Sequence, residues 1–184
     1  MRNLTSLQNL TLKSCPVSFP EEGFPINLTS LCIDKVEICN PLFNWGLHRL
    51  TSLNNLSITG RCPGMVSFPQ DEIDMELPAS LVHLTIEGFE DLKYLSKGFQ
   101  NLPSIEHVKL KSCPKLASFP ENGLPPSLLT LYIYNCPLLE ERCLKGKERE
   151  SLELLHIPKV EFFNSTQGRL GARNNKWPST VLGR

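Results

Sequence analysis

The side chains with most chemistry to offer are seven cysteines and four histidines, and their spacing decides whether they can use it. No two cysteines form a Cys-x-x-Cys. His48, His83, His107 and His156 do not make the His-Glu-x-x-His pattern that sets two imidazoles on one helical face for zinc. No metal site follows from these residues. The phosphate-cradling loops Gly-x-x-x-x-Gly-Lys-Ser/Thr and Gly-x-Gly-x-x-Gly are missing, as is the Gly-x-Ser-x-Gly turn that exposes a nucleophilic serine. A histidine beside a carboxylate can exchange protons, and His83 and His107 with Glu87 have that composition. They lack a nucleophile and shelter from water, so the chain reads as non-enzymatic, with no cofactor of its own.

What four of the cysteines share is a place in the chain: Cys15, Cys62, Cys113 and Cys136 each follow a run in which apolar and polar residues alternate. In Leu7-Gln8-Asn9-Leu10-Thr11-Leu12 the period of two is that of a short half-buried strand. The same six-residue stamp, Leu-x-x-Leu-x-Leu with Ile or Val substituting, is anchored at Leu10, Leu31, Leu56, Leu84, Val108, Leu131 and, less strictly, Leu155, recurring every 21 to 28 residues. That period belongs to leucine-rich repeats. The expected fold is an α/β repeat solenoid, a leucine-rich-repeat horseshoe with a parallel concave sheet. No coil can bury its leucines alone; stacking buries them in one ridge. A turn cysteine then has a structural role, a small side chain inside the coil whose thiol meets a backbone carbonyl.

Phe19-Pro20, Phe68-Pro69 and Phe119-Pro120 place an aromatic on the opposite side of the coil with a proline behind it. Proline has no amide donor and a fixed φ, so the convex side is expected to be irregular or short-helical. Coils alternate in two kinds, giving a larger unit of 46 to 53 residues. The array of six to seven coils spans residues 1–163, with the charge-dense segment 140–153 as part of its polar cap. Residues 164–184 hold Arg169, Arg173, Lys176 and Arg184 with no acid, a composition expected to stay disordered.

The formal net charge is +0, so no global field draws nucleic acid or an acidic membrane. The start enters directly into a repeat, with neither a secretory leader nor an 18-residue apolar run, which reads as intracellular, soluble and without stable membrane insertion. Seven cysteines, an odd number without paired spacing, argue against a disulfide framework. Sequons begin at Asn3, Asn9, Asn27, Asn55 and Asn164; four arise because the repeat itself places polar residues around a leucine.

Carrying the alternation across coils gives the outward residues. The first three coils present mostly small ones, such as Asn9, Thr11, Ser30, Asn55 and Ser57; the later ones present His83, His107, Lys109, Lys111, Tyr132 and Tyr134. Aromatic and cationic residues together anchor protein interfaces. These six form the expected partner-binding patch, with a protein as the partner. Tyrosines packing side by side on a sheet, with lysines keeping it soluble, is the alternative account of the same residues.

The stretch Cys113 to Glu141, with its Cys-Pro, Ser-Phe-Pro-Glu and Leu-Pro-x-Ser-Leu phrases, resembles the C-terminal repeats of plant disease-resistance proteins of the coiled-coil, nucleotide-binding, leucine-rich-repeat class. The similarity covers about residues 4 to 163, and His156-Ile157-Pro158-Lys159-Val160-Glu161 is similar to their closing phrase. Ser151 to Leu155 departs from it, where a tryptophan and a Pro-Lys usually stand. The resemblance implies a cytoplasmic immune receptor, its range including the inner face of the plasma membrane. Its repeats would sense a pathogen effector or an altered host protein, or restrain the receptor's own switch domain. ATP or ADP would bind only in an upstream domain absent from this chain, which would be a fragment or a truncated paralogue. A substrate-recruiting adaptor of a ubiquitin ligase is the rival, since its repeats also carry turn cysteines, but they continue into a regular helix.

Overall fold

The structure, a computed structural model, describes residues 6–14, 23–34, 46–71, 75–144, 152–164 and 168–174, the last by backbone alone. Alternation becomes strand at each place the stamp recurs: β1 (Asn9–Lys13), β2 (Ser30–Asp34), β3 (Asn55–Thr59), β5 (His83–Glu87), β7 (His107–Lys111) and β8 (Thr130–Tyr134). With β9 (Lys159–Asn164) and β10 (Gly168–Asn174) they form one sheet in the order β1-β2-β3-β5-β7-β8-β9-β10. The first seven pair in parallel, and the anchors stack in register: Leu10, Leu31, Leu56, Leu84, Val108 and Leu131 each face the next. Leu31, Ile33, Leu56, Ile58, Ile86, Val108, Leu110, Leu131 and Ile133 are fully buried in one continuous core. The expected leucine-rich-repeat solenoid is therefore what the chain forms.

Backbone bonds between coils pin this register at both ends of the strands. The residue just before a strand offers its carbonyl to two N–H groups of the next coil: Asn54 O accepts from Val82 and His83, Val82 O from Glu106 and His107, and Glu106 O from Leu129 and Thr130, all at 2.8–3.0 Å. The residue just after a strand takes a left-handed backbone, with φ of 51° at Ser112 and 52° at Asn135, and its N–H reaches a carbonyl at the end of the neighbouring strand, Tyr134 O and Phe163 O respectively. Gly88 holds the same place at φ 80°, a backbone conformation that favours glycine, although a Cβ there would meet Gly60 O only at an ordinary contact distance of 3.4 Å. The Leu-Pro-x-Ser-Leu phrase has a local explanation too. Leu81 and Leu128 close a tight turn onto Pro78 O and Pro125 O, and Ser80 and Ser127 donate to Leu53 O and Ile105 O of the preceding coil at 2.7 and 2.8 Å.

Two turn cysteines act as expected. Cys113 Sγ donates to Lys111 O at 3.3 Å, and Cys136 Sγ lies 3.5 Å from Tyr134 O and 3.7 Å from Leu110 O. Cys62 differs: it is in a disulfide, and the other cysteines among the described residues are free thiols. Cys15 lies outside the described residues, as does Phe19-Pro20. Phe68 and Phe119 are buried, Phe68 edge-on to Phe89 with ring centres 6.2 Å apart. On this return side β4 (Ser67–Phe68) pairs in parallel with β6 (Tyr94–Leu95), and Tyr94 bridges to Ser118. Among the described residues the convex side is this two-residue ladder with the small helix Lys97–Gln100, in keeping with the expected irregular or short-helical return.

The end of the array corrects two expectations. β9 pairs Val160 with Leu131 and Phe162 with Ile133, so the last stamp is Ile157-x-x-Val160-x-Phe162. Leu155 is no anchor: it lies on the 3-10 turn Leu154–His156 and is 59% exposed. Two overlapping Leu-x-x-Leu readings exist in this run, and Leu154, Ile157, Val160 and Phe162 are the buried set. The other concerns the tail, where residues 168–174 form β10, antiparallel to β9, instead of staying disordered. Paired backbone groups order it without a hydrophobic stripe to announce it. Of the polar cap, the helix Pro137–Leu144 is described, opened by proline at its first position; the Cys136 N–H donates to Glu140 Oε1 at 2.9 Å. Residues 145–151 and 175–184 lie outside the described residues.

The corrected anchor is testable by urea unfolding. Phe162→Ala, emptying a fully buried site, is expected to cost about 3–5 kcal/mol. Leu155→Asp should change stability by no more than about 0.5 kcal/mol. The reverse ranking would restore Leu155 to the core.

Candidate functional site

Because the coils stack in register, every second residue of each strand turns away from the core, and these residues line up across strands as rows. Over β5, β7, β8 and β9 the first row is His83, His107, Thr130 and Lys159, the second Thr85, Lys109, Tyr132 and Glu161, and the third Glu87, Lys111, Tyr134 and Phe163. All six residues expected from sequence lie on this one face. So do Lys159, Glu161 and Phe163, which anchoring the last coil on Leu155 concealed. The alternation Lys159-Val160-Glu161-Phe162-Phe163 could have revealed them.

In the first row the imidazoles of His83 and His107 stack nearly parallel, 4.6 Å between centres and 10° between planes. Glu106 Oε2 approaches His107 Nε2 at 3.7 Å. Burial against the face, then the neighbouring His107 and Lys109, lower the pKa of His83, with Glu106 acting in the other direction. In the second row Tyr132 stands between two lysines. The Lys109 ammonium is 5.7 Å from its ring centre. Lys159 donates to the Tyr132 hydroxyl at 2.8 Å while 5.1 Å from the ring centre, which puts it beyond the oxygen rather than above the ring. That bond, chiefly, raises the pKa of Lys159. In the third row Lys111 pairs with Glu87 at 2.9 Å, and Tyr134 leans on Phe163, ring centres 6.3 Å apart at 33°. The third row runs into a groove of about 480 Å³ whose walls include Gly60, Glu87, Gly88, Ser112 and Asn135.

These groups can hydrogen-bond, stack and pair charges. The two free turn thiols near them differ: donation to Cys113, then burial, holds the Cys136 thiol well above the usual range, whereas the hydrogen bond received from Cys136 holds Cys113 below its ordinary value. Elsewhere, His156 Nε2 is 3.2 Å from Pro125 O, and His48 is exposed on the 3-10 turn Leu47–Arg49. Among the described residues no three His, Cys, Asp or Glu side chains converge to hold a metal ion. No helix among them is long and apolar enough to cross a membrane.

Parallel strands in register, leucines inward and an open polar face define a leucine-rich-repeat protein. Over 140 residues the chain is 40% identical to an Arabidopsis thaliana protein named for disease resistance, a match covering 76% of this chain and 10% of that one. The Arabidopsis thaliana disease resistance protein RF9 is 27% identical over 174 residues, covering 89% of this chain and 15% of its own length. The chain's homologues are thus plant disease resistance proteins, and it spans between a tenth and 15% of the length of these two. No protein-family profile matches it, and no solved structure does.

The histidine stack carries a pH signature. A depressed pKa means that the folded chain refuses a proton the unfolded chain accepts, so stability tends to fall as pH drops below about 6.5 toward the folded value and is unaffected by this group above it. Histidine ring-proton shifts followed by NMR should show His83 titrating below the ordinary histidine range. His107→Gln should move it part of the way back, since burial is the larger cause.

Proposed function

We propose that this chain is a protein-recognition segment of a plant defence protein, working through the open sheet face centred on His83, His107, Lys109, Lys111, Tyr132 and Tyr134. The observation that carries this is the concentration of aromatic and cationic side chains on β5, β7 and β8, beside coils whose outward residues are mostly small. Interfaces take most of their binding energy from a few such residues. The relatives' names support a role in defence, and favour it over recruitment of substrates to a ubiquitin ligase. In this reading the partner is a pathogen effector, a host protein altered by one, or another domain of the same receptor. The repeats act by binding, and any nucleotide chemistry belongs to a separate domain.

The decisive variant replaces Lys109, Lys111, Tyr132 and Tyr134 together by alanine, in the full-length protein that carries this segment. All four side chains point away from the core, so circular dichroism should be unchanged. Association with the protein that co-purifies from plant tissue is expected to weaken at least about tenfold, as for loss of a hot-spot cluster. Undiminished association would overturn the assignment of this face.

A further inference from the structure

The charges of the face are not evenly satisfied, and their imbalance indicates what kind of surface would fit. Glu87 is taken up by Lys111 at 2.9 Å. Glu161 lies 3.6 Å from Lys159, with its side chain only 12% exposed. Lys109 is different. It is exposed, it has no carboxylate partner among the described residues, and its ammonium faces only the Tyr132 ring. Diagonally across from it stands His83, stacked on His107, so one end of the face gathers a free cation and two imidazoles, each able to donate an N–H. Of the acids close by among the described residues, Glu106 is engaged with His107 and Glu87 with Lys111.

Resting on the reading of this face as the docking site, we infer that it receives an acidic polypeptide segment, with Lys109 pairing a partner carboxylate and the stacked His83 and His107 donating hydrogen bonds beside it. The charge complementarity is local, which suits a chain whose formal net charge is +0. A lone ammonium over a tyrosine ring loses little of its attraction for a carboxylate. Closure of a partner over it would exclude water and strengthen the pair. An arriving carboxylate also favours the charged form of a histidine. The charged and titratable groups facing His83 are His107 and Lys109 on β7 and Glu106 just before it; Asn55, opposite on β3, is neutral. Recognition should therefore take up protons and tighten as pH falls.

Fluorescence anisotropy on the full chain, with labelled Glu-rich and Lys-rich peptides of equal length, tests this. The Glu-rich peptide is expected to bind at least about tenfold more tightly, an advantage that Lys109→Glu removes and Lys109→Arg keeps. Lowering the pH from about 7.5 to about 6 should tighten it roughly threefold, and the double variant H83Q/H107Q should lose that gain. No binding of the Glu-rich peptide, equal binding of both, or a preference that survives Lys109→Glu overturns the acidic class. If that happens while the four-alanine variant still loses its plant partner, the docking face stands and only the partner's chemistry falls. If the peptide binds as expected but the plant partner is retained, the anion site stands and the recognition reading falls.

Discussion

In-register parallel pairing between successive coils is the constraint on which everything else in this chain rests. A slip of one residue would turn every leucine outward and every polar residue inward. The chain guards against it with backbone groups rather than side chains. A doubly accepting carbonyl stands before each of several strands, and a left-handed residue after them sends its N–H to the neighbouring strand. These bonds run between backbone groups, so the coils can differ in length and in convex structure and still stack. The serines of the Leu-Pro-x-Ser-Leu phrase add side-chain ties at the same seam. The leucines supply the free energy of burial, and the seam decides where they point.

The proposed recognition face is a by-product of that geometry. Once the register is fixed, outward residues have no choice but to form rows, and chemistry emerges from which residue types happen to be neighbours in a row. His83 meets His107, and Tyr132 meets Lys109 on one side and Lys159 on the other. Glu87 is neutralised by Lys111 one strand away, although the two are 24 residues apart in sequence. Such an array offers an extended surface on which many modest contacts can be made at once.

Most of this was legible in the amino-acid sequence because both the core and the face are set by a period of two. Six anchors, from Leu10 to Leu131, stack as their spacing implies. Leu155 misled because Leu152-x-x-Leu155 imitates the stamp while Leu154 and Ile157, in the same run, are the residues that turn inward. Only the position of β9 separates the two readings, and that position is set by pairing with β8, which hydropathy does not encode. The strand β10 was invisible for a related reason: its order comes from antiparallel backbone pairing with β9. The Cys62 disulfide had no spacing to betray it. Lys159, at 2.8 Å from the Tyr132 hydroxyl, was hidden by the misplaced anchor rather than by any weakness in the alternation.

The parity rule also separates two kinds of mutational risk. A change at an inward position such as Phe162 enters the packing shared by neighbouring coils, whereas a change at Lys109 alters only what the surface displays, within about 0.5 kcal/mol of folding stability. Substitutions on separate rows, without shared partners, add rather than interfere. The face can therefore drift one side chain at a time along the rows, each variant inheriting a scaffold that has not been disturbed.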